Sequence, residues 1–296
     1  MKVLIIQVRQ LGDVLLSSPL AKAVKEETGA EVHFLTSLAG KEILKGNPFI
    51  DKVITVKEGT VAEIKALTAV RRERYDWVID AQRTGRSKRI TLLSGAPKRV
   101  AFKRERENFY YNVLVKWKNL GYTVWERLEL LKPLGIEVSK RENYLPSFYN
   151  YQEVKVPFKE FISIVPTARK REKMWNLKEF ARLIEELPLP VYALYAPGEE
   201  KFIKELKEEC KVSFYYPEKP HRIGESAFVI KESSLFIGLN SFASHLAVAS
   251  RKKTVVVDRK SSGWFPKVPW VREVYGENAF PSSKDVLREA VNLLEG

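Results

Sequence analysis

A chain of 296 residues exceeds the usual size of one compact domain, so its length predicts two domains with separate cores. A hydrophobic fraction of 45%, with only 15 Gly and 15 Pro, excludes a disordered or fibrous protein. Lys and Arg number 51 against 37 Asp and Glu, and the resulting charge of +14 favours phosphate-rich or otherwise anionic partners.

The sequence contains little that can hold a metal or cross a membrane. A lone Cys210 excludes an internal disulfide, and three scattered histidines offer no zinc-ligand spacing. The first apolar run is too short for a signal peptide, and no stretch of about 18 apolar residues occurs. We therefore expect a cytoplasmic protein without a structural metal or a membrane span.

In the first half, apolar runs rich in Val, Ile and Phe alternate with stretches of helical periodicity. The runs predict strands at 3–8, 31–35, 52–56, 77–82 and 99–102, and the periodic stretches predict helices that include 13–28 and 60–73. Strands that are apolar on both faces indicate a parallel sheet covered by helices.

A polar stretch without periodicity ends near residue 150, and the strand pattern then begins again. The second set of predicted strands is 161–166, 191–196, 212–216, 234–239 and 254–258. We predict two Rossmann-like domains, 1–150 and 151–296, with a cleft between them. Ser282 or Ser283 is expected to cap a last helix, at about 283–296, for which packing back on the N-terminal domain is one expected arrangement.

Ligands of open parallel sheets bind beyond the carboxyl ends of the strands, and Asp13 follows the first strand in RQLGDVLL. One interpretation is a helix N-cap, since Asp is favoured there. The other is a general base that faces the cleft. The fingerprints GxGxxG and GxxxxGK[ST] are absent, which disfavours dehydrogenases and P-loop ATPases.

Three further strand ends carry polar residues. After strand 77–82, Gln82, Arg83 and Arg86 are candidates for binding an acidic acceptor, or they simply form a solvated helix start. In IVPTARKREKMW, Thr167 and Lys173 belong to a candidate diphosphate site or a plain basic loop. In FIGLNSFASHLAVAS, Asn240, Ser241 and His245 mark another helix start, where the histidine is either a packed structural residue or a donor-binding one.

Several separate blocks, in order along nearly the whole chain, resemble the ADP-heptose:lipopolysaccharide heptosyltransferases of glycosyltransferase family 9. The blocks are VLIIQVRQLGDVLLSSPLAKAVKE, GNPFIDKVI, YDWVIDAQRTGRSKRITLLSGAPKRVAF, ERLELLKPLGI, KMW at 173–175 and NSFASHLAVA at 240–249. The resemblance implies an α/β fold of GT-B type, whose two parallel sheets face a central cleft. It also implies transfer of a heptose or related sugar from an ADP-sugar to the lipopolysaccharide inner core, with inversion and without a metal ion or other cofactor.

The resemblance also implies residue roles and partners. Asp13 matches the catalytic base and Lys173 a lysine that neutralises the donor phosphates, while Ser241 and His245 match a second donor motif. Two positions depart from that motif, with Asn240 in place of its acid and Phe242 in place of its glycine. Glu225 lies one residue from the place of an acidic residue that holds the nucleotide ribose.

The expected partners are a nucleotide-sugar, an anionic glycolipid and, by peripheral contact, the anionic inner face of the inner membrane. Three alternatives stay open at this point. The chain is a transferase for another donor or surface glycan, or a non-catalytic binding protein that kept the fold, or a nucleic-acid-binding protein. The last is disfavoured because no element suited to a groove is evident.

Overall fold

The computed structural model describes residues 1–104 and 109–296. The chain divides into two compact units, Met1–Asn150 and Tyr151–Gly296. Each unit is built on one sheet whose strand pairs are all parallel. The predicted α/β class with two parallel sheets is therefore confirmed. No described helix has both the length and the apolar character that a bilayer span requires.

The first unit contains a six-stranded sheet in the order β3-β2-β1-β4-β5-β6. Its strands are β1 (Lys2–Ile6), β2 (Glu31–Thr36), β3 (Lys52–Thr55), β4 (Trp77–Asp80), β5 (Lys98–Phe102) and β6 (Val113–Val115). Its helices are α1 (Leu11–Thr28), α2 (Leu38–Leu44), α3 (Thr60–Arg72), α4 (Gly85–Leu93) and α5 (Thr123–Leu128). The strand order is that of dinucleotide-binding Rossmann folds, and it reverses between β1 and β4.

The second unit contains a five-stranded sheet in the order β11-β10-β9-β7-β8. Its strands are β7 (Ile162–Val165), β8 (Val191–Ala193), β9 (Leu235–Leu239), β10 (Thr254–Val257) and β11 (Val271–Val274). Its helices are α6 (Leu177–Glu186), α7 (Glu200–Glu209), α8 (Ile223–Glu232), α9 (Phe242–Ala249) and α10 (Ser283–Glu295). The order reverses between β7 and β9, where we expect a ligand crevice.

A close approach between β9 and α9 depends on Gly238. A Cβ atom at this position would lie 2.6 Å from the Phe236 ring and 3.0 Å from Ser244 Oγ. Ser244 Oγ in turn donates to the main-chain oxygen of Leu239 at 2.5 Å. The short helix α9 therefore starts directly beside the buried end of β9.

Two differences from the predicted elements concern the sheet edges. The predicted strand at 212–216 is wrong, because only Tyr215 pairs, accepting from Ala193 N at 2.8 Å and donating to Val191 O at 3.0 Å. The edge strands β6 and β11 were not predicted, since each is short and β11 carries Arg and Glu between two valines. An edge strand needs only one apolar face, so its sequence signal is weak.

The C-terminal helix begins as the sequence predicts. Ser282 is its N-cap, and the Ser282 hydroxyl accepts a hydrogen bond from Asp285 N at 3.3 Å. The apolar face of α10, formed by Val286, Ala290 and Leu293, lies in the core of the second unit. Packing of α10 on the N-terminal domain was one arrangement expected from the sequence. Its apolar face is buried within its own unit.

Candidate active site

Asp13 is the third residue of α1, the helix that follows the central strand β1. Its side chain is 22% exposed, and its Oδ1 accepts a hydrogen bond from Arg127 Nη2. The N-cap of α1 is Gln10, with φ of 43° and no side-chain cap, so the N-cap interpretation of Asp13 is wrong. The carboxylate is ordered by an ion pair and still reaches solvent.

Arg127, on α5, was missed by reasoning from the sequence. Its Nη1 donates to the main-chain oxygen of Asp13 at 2.8 Å and to Ser17 Oγ at 2.9 Å. The side chain is only 10% exposed. A planar guanidinium with several fixed donors can hold a carboxylate in one direction. No local signal marks it, because Asp13 is 114 positions away.

Gln82 follows β4, the neighbour of β1 at the reversal point, and its side chain binds the backbone. Its Oε1 accepts hydrogen bonds from Val8 N at 2.6 Å and Arg9 N at 3.0 Å. The amide therefore ties the end of β4 to the loop that leads into α1. This contact fixes the backbone shortly before Asp13 in the chain.

Arg83 is buried, with a left-handed φ of 60°. Its Nη1 donates to the Phe102 carbonyl, and the guanidinium lies 5.3 Å from the centroid of the Tyr111 ring. Burial lowers the pKa of Arg83. These contacts hold the side chain between β4 and β5.

Buried Asp80 organises the same turn. Its Oδ1 accepts from Gln82 N at 3.0 Å and Arg83 N at 2.9 Å, and its Oδ2 accepts from Tyr111 Oη at 2.7 Å. Burial raises the pKa of Asp80, which these hydrogen bonds partly counteract. Asp80 thus fixes the turn that carries two of the predicted acceptor residues.

Arg86 belongs to a mixed-charge cluster at the start of α4. Its Nε lies 3.5 Å from Glu63 Oε2, and Arg89 Nε binds Glu63 Oε1 at 2.6 Å. Two guanidinium groups thus share one carboxylate. The cluster therefore retains a net positive charge.

In the second unit, Lys173 and Asn240 come together at the reversal point of the sheet. Lys173 Nζ donates to the main-chain oxygen of Asn240 at 3.1 Å. The buried Asn240 side chain donates from Nδ2 to Asp258 Oδ2 at 2.7 Å. Asp258 directly follows β10 and was not singled out from the sequence, because neither its spacing nor the motif marks it.

Ser241 is the backbone N-cap of α9, but its side chain makes no capping hydrogen bond. Ser241 Oγ is buried and lacks a hydrogen-bond partner within the described part of the chain. The first-turn amides of α9 are thus left uncapped by this side chain. A helix start of this kind attracts an anion.

His245 is buried in α9 and stacks on Phe265, with ring centroids 4.7 Å apart and planes at 16°. The Trp264 ring lies 6.3 Å away. This placement agrees with the packed interpretation of the histidine. The contacts also anchor the segment that follows β10 against α9.

Thr167 and Glu225 have other partners. Thr167 Oγ1 donates to Glu199 Oε2, which also accepts from Ala196 N at 2.9 Å. Glu225 accepts from Arg222 N at 2.7 Å and so caps α8. Of the predicted donor residues, the structure directly links Lys173 with Asn240 and places Ser241 next in the chain.

One group of potential metal ligands occurs among residues 1–104 and 109–296. Ligand atoms of Glu31, His33 and Glu73 lie within 4.8 Å of one another. Lys2 Nζ lies 3.2 Å from Glu31 and 2.9 Å from Glu73, and Lys52 Nζ lies 2.5 Å from Glu73. Since two ammonium groups already neutralise these carboxylates, the group is poorly suited to a metal ion.

Comparisons with known proteins agree with this architecture. A curated relative, lipopolysaccharide heptosyltransferase 3 of Escherichia coli, is 21% identical over 272 residues, covering 80% of this chain and 77% of the relative. A glycosyltransferase family 9 structure from Veillonella parvula matches with a TM-score of 0.84 and 16% identity, covering 99% of this chain and 97% of that one.

A second structure, the E. coli heptosyltransferase WaaC with ADP-2-deoxy-2-fluoro heptose, has a TM-score of 0.77 and 18% identity. The match covers 99% of this chain and 98% of the WaaC chain. The family model for glycosyltransferase family 9 (heptosyltransferase) matches residues 64–273, well over half of the chain. Two parallel Rossmann-like sheets and this match together show that the chain belongs to glycosyltransferase family 9.

Proposed function

We propose that this glycosyltransferase moves a heptose or a related sugar from an ADP-sugar to the inner core of lipopolysaccharide, with inversion and without a metal ion. The observation that carries the proposal is the partly exposed Asp13 carboxylate, held by Arg127 at the start of α1. The similar proteins supply the donor and acceptor classes, since one is a lipopolysaccharide heptosyltransferase and the structure of another contains ADP-2-deoxy-2-fluoro heptose.

In the proposed reaction, Asp13 takes the proton of an acceptor hydroxyl as a new bond forms from that oxygen to the anomeric carbon. The bond from the anomeric carbon to the diphosphate oxygen breaks on the opposite face, which inverts the configuration. Arg127 keeps the carboxylate directed at the hydroxyl. The electron pair of the broken bond leaves with the nucleoside diphosphate.

Lys173 and the start of α9 stabilise the departing diphosphate. The lysine ammonium and the uncapped first-turn amides are positive groups fixed before the reaction. Ser241 Oγ supplies a further donor at the same helix start. These groups provide the charge stabilisation that a metal ion supplies in other transferases.

The other predicted residues take supporting roles in the proposal. Arg86 contacts acidic groups of the acceptor, while Gln82 and Arg83 hold the strand-end turns on which it depends. In the second unit, His245 supports the donor site through its stacking on Phe265, which fixes α9, while Thr167 and Glu225 stay predicted donor-binding residues that contact Glu199 and Arg222. The +14 charge draws the enzyme to the anionic inner face of the membrane, where a glycolipid acceptor resides.

The base assignment is tested by Asp13→Ala and Asp13→Asn. We expect the turnover number to fall by about 100-fold or more in both variants, because general-base catalysis is lost, while Asp13→Asn keeps a hydrogen-bond acceptor for Arg127 and should disturb the fold less than Asp13→Ala. Sugar transfer from ADP-heptose to a lipopolysaccharide acceptor would be measured. Asp285→Asn, at the exposed start of α10, is the matched control. Near-normal turnover in Asp13→Ala contradicts the assignment.

Metal independence has its own test. Transfer is expected to proceed at an unchanged rate in excess EDTA, because fixed protein cations neutralise the leaving group. The rate with EDTA would be compared with the rate in added Mg²⁺ or Mn²⁺. Loss of activity in EDTA that a divalent ion restores would overturn this part of the proposal.

A second candidate is a transferase of the same family with another donor sugar. Asn240 and Phe242 favour it, since they stand where the related motif has an acid and a glycine. Measuring thermal stabilisation by a panel of ADP-, GDP- and UDP-sugars separates the candidates. A ligand at 100 times its dissociation constant raises the free energy of unfolding by about 2.7 kcal/mol.

A further inference from the structure

We propose that Asp258 is a donor-binding residue whose carboxylate accepts a hydrogen bond from a hydroxyl of the transferred sugar. This inference rests on the proposed function, in which the donor diphosphate lies at Lys173 and the start of α9. It adds a residue from the neighbouring strand end to that site. It also gives the carboxylate a definite ligand class, the polyol of a nucleotide-sugar.

The position of Asp258 follows from the register of two strands. Val257 on β10 pairs with Leu239 on β9 in a parallel arrangement, so the next residues, Asp258 and Asn240, leave the sheet side by side. Asn240 Nδ2 donates to Asp258 Oδ2 at 2.7 Å. Both residues thus lie at the carboxyl edge of the sheet, where ligands of such folds bind.

Asn240 stands between a cation and an anion. Lys173 Nζ binds its main-chain oxygen at 3.1 Å, whereas Asp258 binds its side-chain amide. A diphosphate is attracted to the lysine and the helix start, but it is repelled by the carboxylate. The favourable ligand group for Asp258 is therefore a neutral hydrogen-bond donor beside the diphosphate. The transferred sugar, which is bonded to the diphosphate, carries such hydroxyl donors.

The carboxylate is ordered and still has acceptor capacity. Its Oδ1 accepts from Arg259 N at 2.8 Å and its Oδ2 from Asn240, while an ionised carboxylate offers about four acceptor sites. The Asp258 side chain is only partly buried. A hydroxyl can therefore bind without displacing either existing partner, and the fixed direction lowers the entropic cost of binding.

The segment that begins at Asp258 is anchored further along. Ser262 Oγ donates to Glu273 Oε1 at 2.8 Å, and Phe265 stacks on His245 with ring centroids 4.7 Å apart. The segment 258–265 thus contacts the predicted donor motif at Asn240 and again at His245. Its two ends therefore lie beside the start of α9.

The test compares dissociation constants of ADP and ADP-heptose by calorimetry. Asp258→Asn keeps the shape of the side chain but removes the charge. We expect its affinity for ADP to stay within about twofold of wild type and its affinity for ADP-heptose to fall about tenfold, as for loss of a charge-assisted hydrogen bond. Asp285→Asn, the matched control, should retain both affinities.

An exchange variant, Asn240→Asp with Asp258→Asn, returns one carboxylate to the pair. We expect it to bind ADP-heptose more tightly than Asp258→Asn alone. Asp258→Ser provides a smaller replacement if the asparagine variant folds poorly. The inference is overturned if wild type, Asp258→Asn and Asp258→Ser bind ADP-heptose with equal affinity. It is also overturned if the variants lose as much affinity for ADP as for ADP-heptose.

The same experiment separates the inference from the function on which it rests. If Lys173→Ala weakens ADP binding while Asp258→Asn binds ADP-heptose like wild type, only the role of Asp258 fails. If wild type binds neither ADP nor ADP-heptose, the proposed function fails and the role of Asp258 fails with it.

Discussion

Two nitrogen atoms of the Arg127 guanidinium bind Asp13, one at its carboxylate and one at its main-chain oxygen. A base that must take one particular proton gains from being held in one direction, because misplacement by about 1 Å can cost roughly 100-fold in rate. Ser17 shares the same guanidinium and helps to keep it in place. We therefore regard Arg127 as a positioning residue for Asp13.

Arg127→Gln is expected to lower the turnover number by roughly 100-fold, with a small effect on the Michaelis constant for the donor. Arg127→Lys should recover little activity, because an ammonium cannot bind the carboxylate, carbonyl and hydroxyl in the same planar geometry. Steady-state kinetics and thermal melting of each variant would be measured. Normal turnover with a lowered melting temperature in Arg127→Gln would mean a purely structural role, and Ser17→Ala is the milder control.

Glu73 links three element ends at the amino edge of the first sheet. It is the C-cap residue of α3, and it binds Lys52 at the start of β3 at 2.5 Å and Lys2 at the start of β1 at 2.9 Å. Hydrogen bonds from Lys52 and Lys2 lower the pKa of Glu73 from its ordinary 4.5 to about 2. His33 Nδ1 lies 3.9 Å from the same carboxylate.

This link predicts a pH-dependent stability. The pKa of Glu73 is lower in the folded chain than in the unfolded chain, so its contribution is present above about pH 4.5 and is lost as the pH falls toward 2. Because Lys52 is exposed, we expect Glu73 to contribute only about 1 kcal/mol to the free energy of unfolding. Glu73→Gln should therefore melt below wild type at pH 6, and the difference should shrink toward pH 2.5. A difference that is constant from pH 6 to pH 2.5 would contradict this assignment.

The net charge of +14 is accompanied by exposed aromatic residues in the first unit. Phe109 is 75% exposed and Trp117 is 51% exposed. Lys103 N donates to Val115 O at 2.7 Å, so Lys103 lies beside the end of β6. Lys116 and Trp117 follow β6 directly in the chain. An exposed aromatic ring between two lysines, as at Trp117, suits the headgroup region of an anionic membrane, and the exposed Phe109 ring adds apolar surface.

The proposed membrane contact predicts binding to vesicles that contain anionic phospholipid. Binding should weaken as salt rises, because the attraction is electrostatic, and should weaken further in the double variant Phe109→Ser, Trp117→Ser. Cosedimentation with anionic and with zwitterionic vesicles measures both effects. Val212→Ser, at an exposed apolar position of the second unit, is the control. Equal binding to the two vesicle types would rule out the electrostatic contact.

The sequence alone predicted the α/β class, the family, and the inner strands of both sheets, but not the edge strands β6 and β11. Strands β2 and β3 occur at Glu31–Thr36 and Lys52–Thr55, close to the predicted 31–35 and 52–56. The positions of strands and helices have local sequence signals. A buried parallel strand must be apolar on both faces, and a covering helix must repeat its apolar residues every three to four positions. The segment 212–216 has a similar composition, but sheet pairing reaches only Tyr215.

Which side chains meet at the strand ends becomes visible only in the folded chain. Arg127 meets Asp13, Asp258 meets Asn240, and Glu199 meets Thr167. A parallel sheet requires a long crossover between neighbouring strands, so residues that meet at its carboxyl edge lie far apart in the chain and carry no common spacing. Asp13, Lys173 and Asn240 could be named from the sequence, whereas Arg127 and Asp258, which contact Asp13 and Asn240, are found only once the chain is folded.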